Sequence, residues 1–171
     1  KSIKLIKTAY KTKQIIGVVA QKSVKIDDPE NSDLYKVGTL AKVVKTLNMP
    51  DGTTMVILQG MDRFSLEELV QTEPYWLGKG KEYPDKAKDL PENYMAIAEA
   101  VRDMYIRLLK MVPNMPTDPS FAIQNIENPY FLLNYVAAHL DISVTEKQKL
   151  LEMNSFAKRA NKVLSVLTKE M

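Results

Sequence analysis

Hydrophobic positions change their spacing near the middle of the chain, and the change divides it in two. Between lysines, Ile3, Leu5, Ile6, Ala9 and Tyr10 recur mainly at helical intervals, so residues 3–13 read as a short amphipathic helix. Ile15, Ile16, Val18 and Val19 form a β-branched run suited to a strand, and the polar stretch 27–33, with Pro29 inside it, reads as a loop. From Val37 the period is two, with Val37, Thr39, Ala41, Val43 and Leu47 on one face. Asn48-Met49-Pro50-Asp51-Gly52 then supplies a turn, because Pro fixes φ and Gly accepts a positive one. The apolar run 55–58 returns as the second arm of a hairpin, and Gly60 is read as its end. Further strands are expected over 63–70 and, after Pro74, over 75–83. Short strands with local turns predict a small antiparallel barrel or sandwich.

Beyond Asp85 the spacing becomes three and four. Asp89-Leu90-Pro91-Glu92 reads as a helix start, with Asp89 as N-cap and Pro91 in the first turn. Tyr94, Ile97, Ala98, Val101, Met104, Tyr105 and Leu108 follow as one apolar stripe, which should stop before Pro113. Pro113, Pro116 and Pro119 predict an extended linker. Asn128-Pro129 is a second cap and first turn, and Thr145-Glu146-Lys147-Gln148 a third start of capping-box type. Phe156, Ala160, Val163, Leu164, Leu167 and Met171 give a last helix. The fold class expected is α+β, with a β-rich lobe over 1–86 and a helical bundle over 87–171.

Composition narrows the class. At 171 residues and 45% hydrophobic the chain can bury a core, while 26% charged residues and no apolar run of about 20 residues argue against a membrane span. No cysteine is present, which removes disulfides and thiolate chemistry and fits a cytoplasmic protein, as does the lack of a signal-peptide pattern in the lysine-rich start. The net charge of +3 is uneven: Lys1, Lys4, Lys7, Lys11, Lys13, Lys22 and Lys25 precede the first acidic residue, Asp27. Without arginines or an aromatic platform beside them, these lysines are read as a solvated face giving at most weak, salt-sensitive polyanion binding.

No catalytic set can be assembled. His139 is the single histidine and has no H-x-x-x-H or H-x-x-E pattern around it, so it is read as structural and no metal is expected. Ser155-Phe156-Ala157-Lys158 has the S-x-x-K spacing of some serine acyl enzymes, but S-D-N and K-T-G are missing and Ser155 suits a helix N-cap. Gly78-Lys79-Gly80-Lys81 is too short for a phosphate loop, and Glu67-Glu68 point to opposite faces of a strand. The acidic residues Asp27, Asp28, Glu30 and Asp33 lack the ligand alternation of a calcium loop. The chain therefore reads as a recognition module. Its nine methionines, whose thioethers adapt to varied partners, point to apolar binding, with Met49 and Pro50 at the hairpin tip and Met115 and Phe121 in the linker region as candidates.

The run Leu34-Tyr35-Lys36-Val37-Gly38-Thr39-Leu40-Ala41-Lys42-Val43, followed by Pro50-Asp51-Gly52, Val56-Ile57-Leu58-Gln59-Gly60, Arg63-Phe64 and Glu73-Pro74-Tyr75, resembles the N-terminal domain of ATP-dependent Lon proteases. Asn128-Pro129, Val136-Ala137-Ala138-His139-Leu140, Lys147-Gln148-Lys149-Leu150-Leu151-Glu152 and Arg159 resemble the same family's helical subdomain, so nearly the whole chain is covered. The resemblance implies a PUA-like antiparallel β-barrel lobe followed by an α-helical bundle. Because the family begins with one or two apolar, proline-containing strands ahead of the segment matching Lys1, the lobe is expected to be N-terminally incomplete. It also implies a role in recognising unfolded or degron-bearing polypeptides and in assembling a hexamer. In that reading ATP and Mg are cofactors of the parent's ATPase domain, with none in this chain, and a Ser-Lys dyad lies in a separate protease domain. The competing class is a stand-alone LON-domain module, either a ubiquitin-ligase substrate receptor or an RNA-binding PUA-like protein. Against it, about 80 residues of capped helices suit a connector to further domains.

Overall fold

Residues 1–111 and 120–171 are described by the structure, a computed structural model. The expected linker prolines and Met115 lie outside the described residues. The chain divides into two compact units, Lys1–Pro84 and Asp85–Met171, and the α+β expectation holds: strands fill the first and helices the second.

In the first unit, helix α1 (Ser2–Thr12) turns Leu5, Ile6 and Ala9 inward and ends at Lys13 in the left-handed region, φ 56°. Strands β1 (Ile15–Val18), β2 (Val37–Asn48), β3 (Thr54–Gln71) and β4 (Leu77–Glu82) form one antiparallel meander in the order β1-β2-β3-β4. Its small core joins Ala9 of α1 to Ile16, Ala41 and Val43, with Leu5, Ile6 and Val56 packed against them.

Two expectations for the sheet change. Gly60 does not end a strand; it pairs with Ala41 inside the 18-residue β3, and the register slips by one residue between Thr39↔Arg63 and Ala41↔Gly60. A glycine in a strand interior marks a bulge as readily as a stop. The regular alternation of β2 also fails: a second slip between Val43↔Leu58 and Lys45↔Ile57 inserts Val44, which moves Leu47 off the buried face of Ala41 and Val43.

The ring of Phe64 needs glycines around it. A Cβ at Gly17 would stand 2.7 Å from its Cζ, and one at Gly38 2.9 Å from its Cε1 and 2.3 Å from the Val18 carbonyl. Gly78 and Gly80 sit in β4, within the strand expected over 75–83, opposite Leu69 and Leu66.

The second unit contains α2 (Tyr94–Met111), α3 (Ser120–Gln124), α4 (Pro129–His139), α5 (Val144–Glu152) and α6 (Phe156–Glu170). Val101, Ile123, Leu132, Leu133, Val136, Phe156, Val163 and Leu167 are fully buried and form one core, in which the Tyr130 and Phe156 rings meet edge to face at 5.2 Å. Each such side chain removed from water contributes about 1.5–3 kcal/mol before chain entropy is charged against it. Two helix starts agree with the sequence: Asn128 accepts the Phe131 N–H at 3.0 Å with Pro129 in the first turn, and Ser155 accepts the Lys158 N–H at 3.3 Å.

Two others shift. Asp89 closes a 3-10 turn, Ala87–Asp89, and α2 begins five residues later at Tyr94. The third cap is Ser143 rather than Thr145: the Ser143 hydroxyl accepts the Glu146 N–H at 3.2 Å while the Ser143 N–H donates to Glu146 Oε2 at 3.3 Å. Helix α3 lies in a stretch expected to be irregular. It is held to α2 by Arg102, whose guanidinium donates to the carbonyls of Ile123 at 3.2 Å and Ile126 at 2.6 Å and pairs with Glu99.

Candidate functional site

The residues that resembled catalytic parts have structural tasks. Ser155 of the S-x-x-K match caps α6 with its hydroxyl. His139 at the end of α4 donates from Nδ1 to the Tyr135 carbonyl at 2.8 Å and lies against the Tyr135 ring at 4.5 Å. Glu67 pairs with Lys81 at 2.6 Å and Glu68 lies opposite Lys79, both at the exposed sheet surface. Among the described residues no group of three or more His, Asp or Glu side chains gathers as a metal site. Of the lysine-rich start, Lys4, Lys7 and Lys11 are exposed, while Lys1 pairs with Glu73 at 2.8 Å; their hydrogen bond raises the Lys1 ammonium and lowers the Glu73 carboxyl.

What the first unit does present is apolar surface, most of it on the β2–β3 hairpin. The turn is well braced: Met49 N–H donates to the Thr53 carbonyl at 2.8 Å, Gly52 N–H to the Met49 carbonyl at 3.0 Å, and Gly52 takes φ 85°. Asp51 Oδ1 accepts both the Thr53 hydroxyl at 2.6 Å and its N–H at 2.9 Å, and these bonds hold its carboxyl below the usual range. Behind the turn, Leu47 pairs with Met55, Lys45 with Ile57 and Lys42 with Gln59. Directly opposed residues share a face, as do alternate residues of one strand, so these six side chains lie together. Val56, from the alternate set, packs against the small core, which identifies the first set as the outward one.

Leu47 is 37% exposed, Met55 49% and Ile57 45%; Met49 and Pro50 extend the same end into solvent, and the inserted Val44 is exposed as well. The sequence-derived candidates Met49 and Pro50 are therefore brought together, at the tip of a larger apolar strip. Phe121 belongs to the other unit: Ser120 and Ile123 anchor α3 while its ring is 77% exposed. Leu47, Met55 and Ile57 were not legible as surface, because strict alternation assigns Leu47 to the core. The adjacent apolar pair Val43-Val44, which breaks the period, was the available signal.

A second apolar feature is an open groove of about 1060 Å³ in the first unit, lined by Leu5, Ile6, Ile16, Phe64, Leu66 and Trp76 among others. Among the described residues neither surface gathers a group of three or more side chains that could hold a metal ion. Both set apolar side chains beside polar ones: Lys42, Lys45 and Gln59 on the hairpin, and Lys1, Asp28 and Glu82 among others around the groove.

Comparison with known proteins gives this surface a context. Residues 1–169 match the family described as the ATP-dependent protease La (LON) substrate-binding domain. The Lon protease of Flavobacterium johnsoniae is 41% identical across the whole chain, and that of Cytophaga hutchinsonii 38%. In each case the chain spans 21% of the relative's length. The N-terminal domain of a Mycobacterium avium complex Lon protease has the same fold, with a TM-score of 0.69 at 11% identity over 92% of this chain and 91% of that one. A Lon N-terminal domain protein from Xanthomonas campestris gives 0.60 at 15% identity over 95% and 82%. No helix among the described residues is long and apolar enough to cross a membrane. With its helical half covered as fully as its strands, the chain belongs to the ATP-dependent protease La (LON) substrate-binding domain family.

Proposed function

We propose that this domain binds unfolded or degron-bearing polypeptides for an ATP-dependent serine endopeptidase, and that the outward face of the β2–β3 hairpin is its main contact. The observation that carries this reading is the exposed cluster of Leu47, Met55 and Ile57, continued by Met49 and Pro50 at a braced turn. A folded protein buries its Leu, Ile and Met side chains, so an apolar strip selects chains that have lost that burial. Flexible methionines adapt to different partner side chains, and Phe121 offers a further aromatic contact on the helical unit. In the same reading the parent is a cytoplasmic hexamer that binds ATP and Mg outside these residues, and the helical unit contributes to assembly. The exposed lysines of α1 add only weak attraction for polyanions.

Binding of a labelled, denatured model protein tests the proposal. Leu47→Ser with Ile57→Ser should weaken it at least about tenfold, the consequence of losing roughly 1.4 kcal/mol of apolar contact. Binding by the unaltered chain should persist at 0.15 M salt, where exposed charges are screened beyond about 8 Å. Attraction for a DNA or RNA oligomer should fall steeply over the same range. Unchanged polypeptide binding by the folded double variant would refute the assignment. Sequence-selective nucleic-acid binding that survives the salt would replace it with the RNA-binding class.

A further inference from the structure

All three methionines of Lys1–Pro84 stand on one hairpin, and all three are exposed. Met49 opens the braced turn, Met55 lies opposite Leu47, and Met61, 53% exposed, follows Gln59 by two residues where the register of β3 slips. The helical unit distributes its thioethers differently. Met104 and Met153 pack against the core, while Met95, Met111 and Met171 are exposed at the ends of α2 and α6. With no cysteine in the chain, the methionine sulfurs are its soft, oxidisable groups, and exposure decides which of them an oxidant in solution reaches.

We propose that the hairpin is a site of reversible methionine oxidation, at which hydrogen peroxide converts Met49, Met55 and Met61 to sulfoxides and turns off the strip as an apolar contact surface. This rests on the reading of the strip as the binding face. In each step the thioether sulfur gives up two electrons and the peroxide O–O bond breaks; one oxygen forms an S–O bond and the other leaves as water. A polar, chiral group then stands where a flexible apolar one stood. Pressed against the apolar side chains of a partner, a sulfoxide oxygen loses water that a thioether, a weak acceptor, never held as tightly. Lys45 adds to the bias. It shares the outward face and lies diagonal to Met55, within reach of a long side chain, and its ammonium donates well to a sulfoxide oxygen and poorly to a thioether. The oxidised side chain is therefore favoured in the unbound chain. Reversal uses a thiol reductant from outside the chain: two thiols become a disulfide, the S–O bond breaks and the oxygen leaves as water. Leu47 and Ile57 supply apolar contact on the same strip but no such response.

The test treats the whole chain with hydrogen peroxide, removes the peroxide, and titrates the chain with a permanently denatured, carboxymethylated model protein. Peptide masses should show an added oxygen at Met49, Met55 and Met61 ahead of Met104 and Met153. Binding should weaken at least about tenfold, because several adjoining contacts become polar together. Sulfoxide reductases for both epimers, supplied with a dithiol, should restore it. Met49→Leu with Met55→Leu and Met61→Leu should bring the ratio of oxidised to unoxidised binding close to unity, and the ratio cancels whatever leucine does to binding itself. Met95→Leu with Met111→Leu and Met171→Leu should leave the loss in place. A chain whose binding depends on Leu47 and Ile57 yet is indifferent to peroxide overturns the proposal and leaves the binding face standing. An equal loss in the hairpin leucine variant also overturns it, by placing the effect in the helical unit. An unoxidised chain that binds nothing overturns both the proposal and the reading beneath it.

Discussion

The two units use apolar side chains in opposite ways. In the helical unit they converge: Val101, Ile123, Leu132, Leu133, Phe156 and Leu167 are buried together from α2, α3, α4 and α6. In the strand unit the core is a small cluster around Ala9, Ile16, Ala41 and Val43, while Leu47, Met49, Met55, Ile57 and Met61 stay in contact with solvent. A helix buries a stripe and can be enclosed by its neighbours, whereas a single sheet layer packed on one side leaves its other side open. One unit therefore has the larger enclosed core, and the other leaves more of its large apolar side chains exposed.

The largest test of that division is Phe156→Ala. It should remove about 3–5 kcal/mol from the helical unit, by lost burial and a cavity, whereas Ile57→Ser on the hairpin should stay within about 0.5 kcal/mol of the original. Denaturant unfolding of each variant measures both. Gly38→Ala comes next, because its added Cβ meets the Val18 carbonyl and the Phe64 ring; overpacking of this kind costs typically 1–3 kcal/mol, here in the strand unit. Asn128→Ala should follow at about 1 kcal/mol, the usual value of a lost N-cap, read as a lower Tm for the helices.

The smallest effect is a pH dependence. Hydrogen bonds from the Ser143 hydroxyl and N–H hold the Glu146 carboxyl below its ordinary value, so its folded pKa lies under the unfolded one. Its stabilising contribution is complete above the ordinary glutamate range and disappears as the pH falls through the lowered value. Glu146→Gln should flatten that part of the stability curve in acid titration.

These cases also mark how far the sequence could be read. Asn128-Pro129 and Ser155 were legible because a cap depends on a side chain and backbone three residues apart. The Ser143 cap was passed over for Thr145, although Ser143 stands three residues before Glu146, the spacing a reciprocal box requires. Gly60 reads as a strand end, and the insertion of Val44 escapes the period of two, because a bulge is defined by pairing with the partner strand and not by the spacing within one strand. Arg159 was legible only as part of a family resemblance. Its partner Asp85 is 74 residues away, and no periodicity connects them. Met49 and Pro50 followed from turn chemistry, but the strip behind them required the register of β2 on β3.

The central claim is that a non-native polypeptide lies on the outward face of the hairpin. NMR titration of the isotopically labelled chain with a permanently denatured, carboxymethylated model protein at 0.15 M salt tests it residue by residue. Perturbed signals should concentrate at Leu47, Met49, Met55 and Ile57, with a weaker set at Phe121 and the core signals of α4 and α6 unmoved. Saturation binding that leaves the four hairpin residues unperturbed, or that perturbs only the lysines of α1, would contradict it.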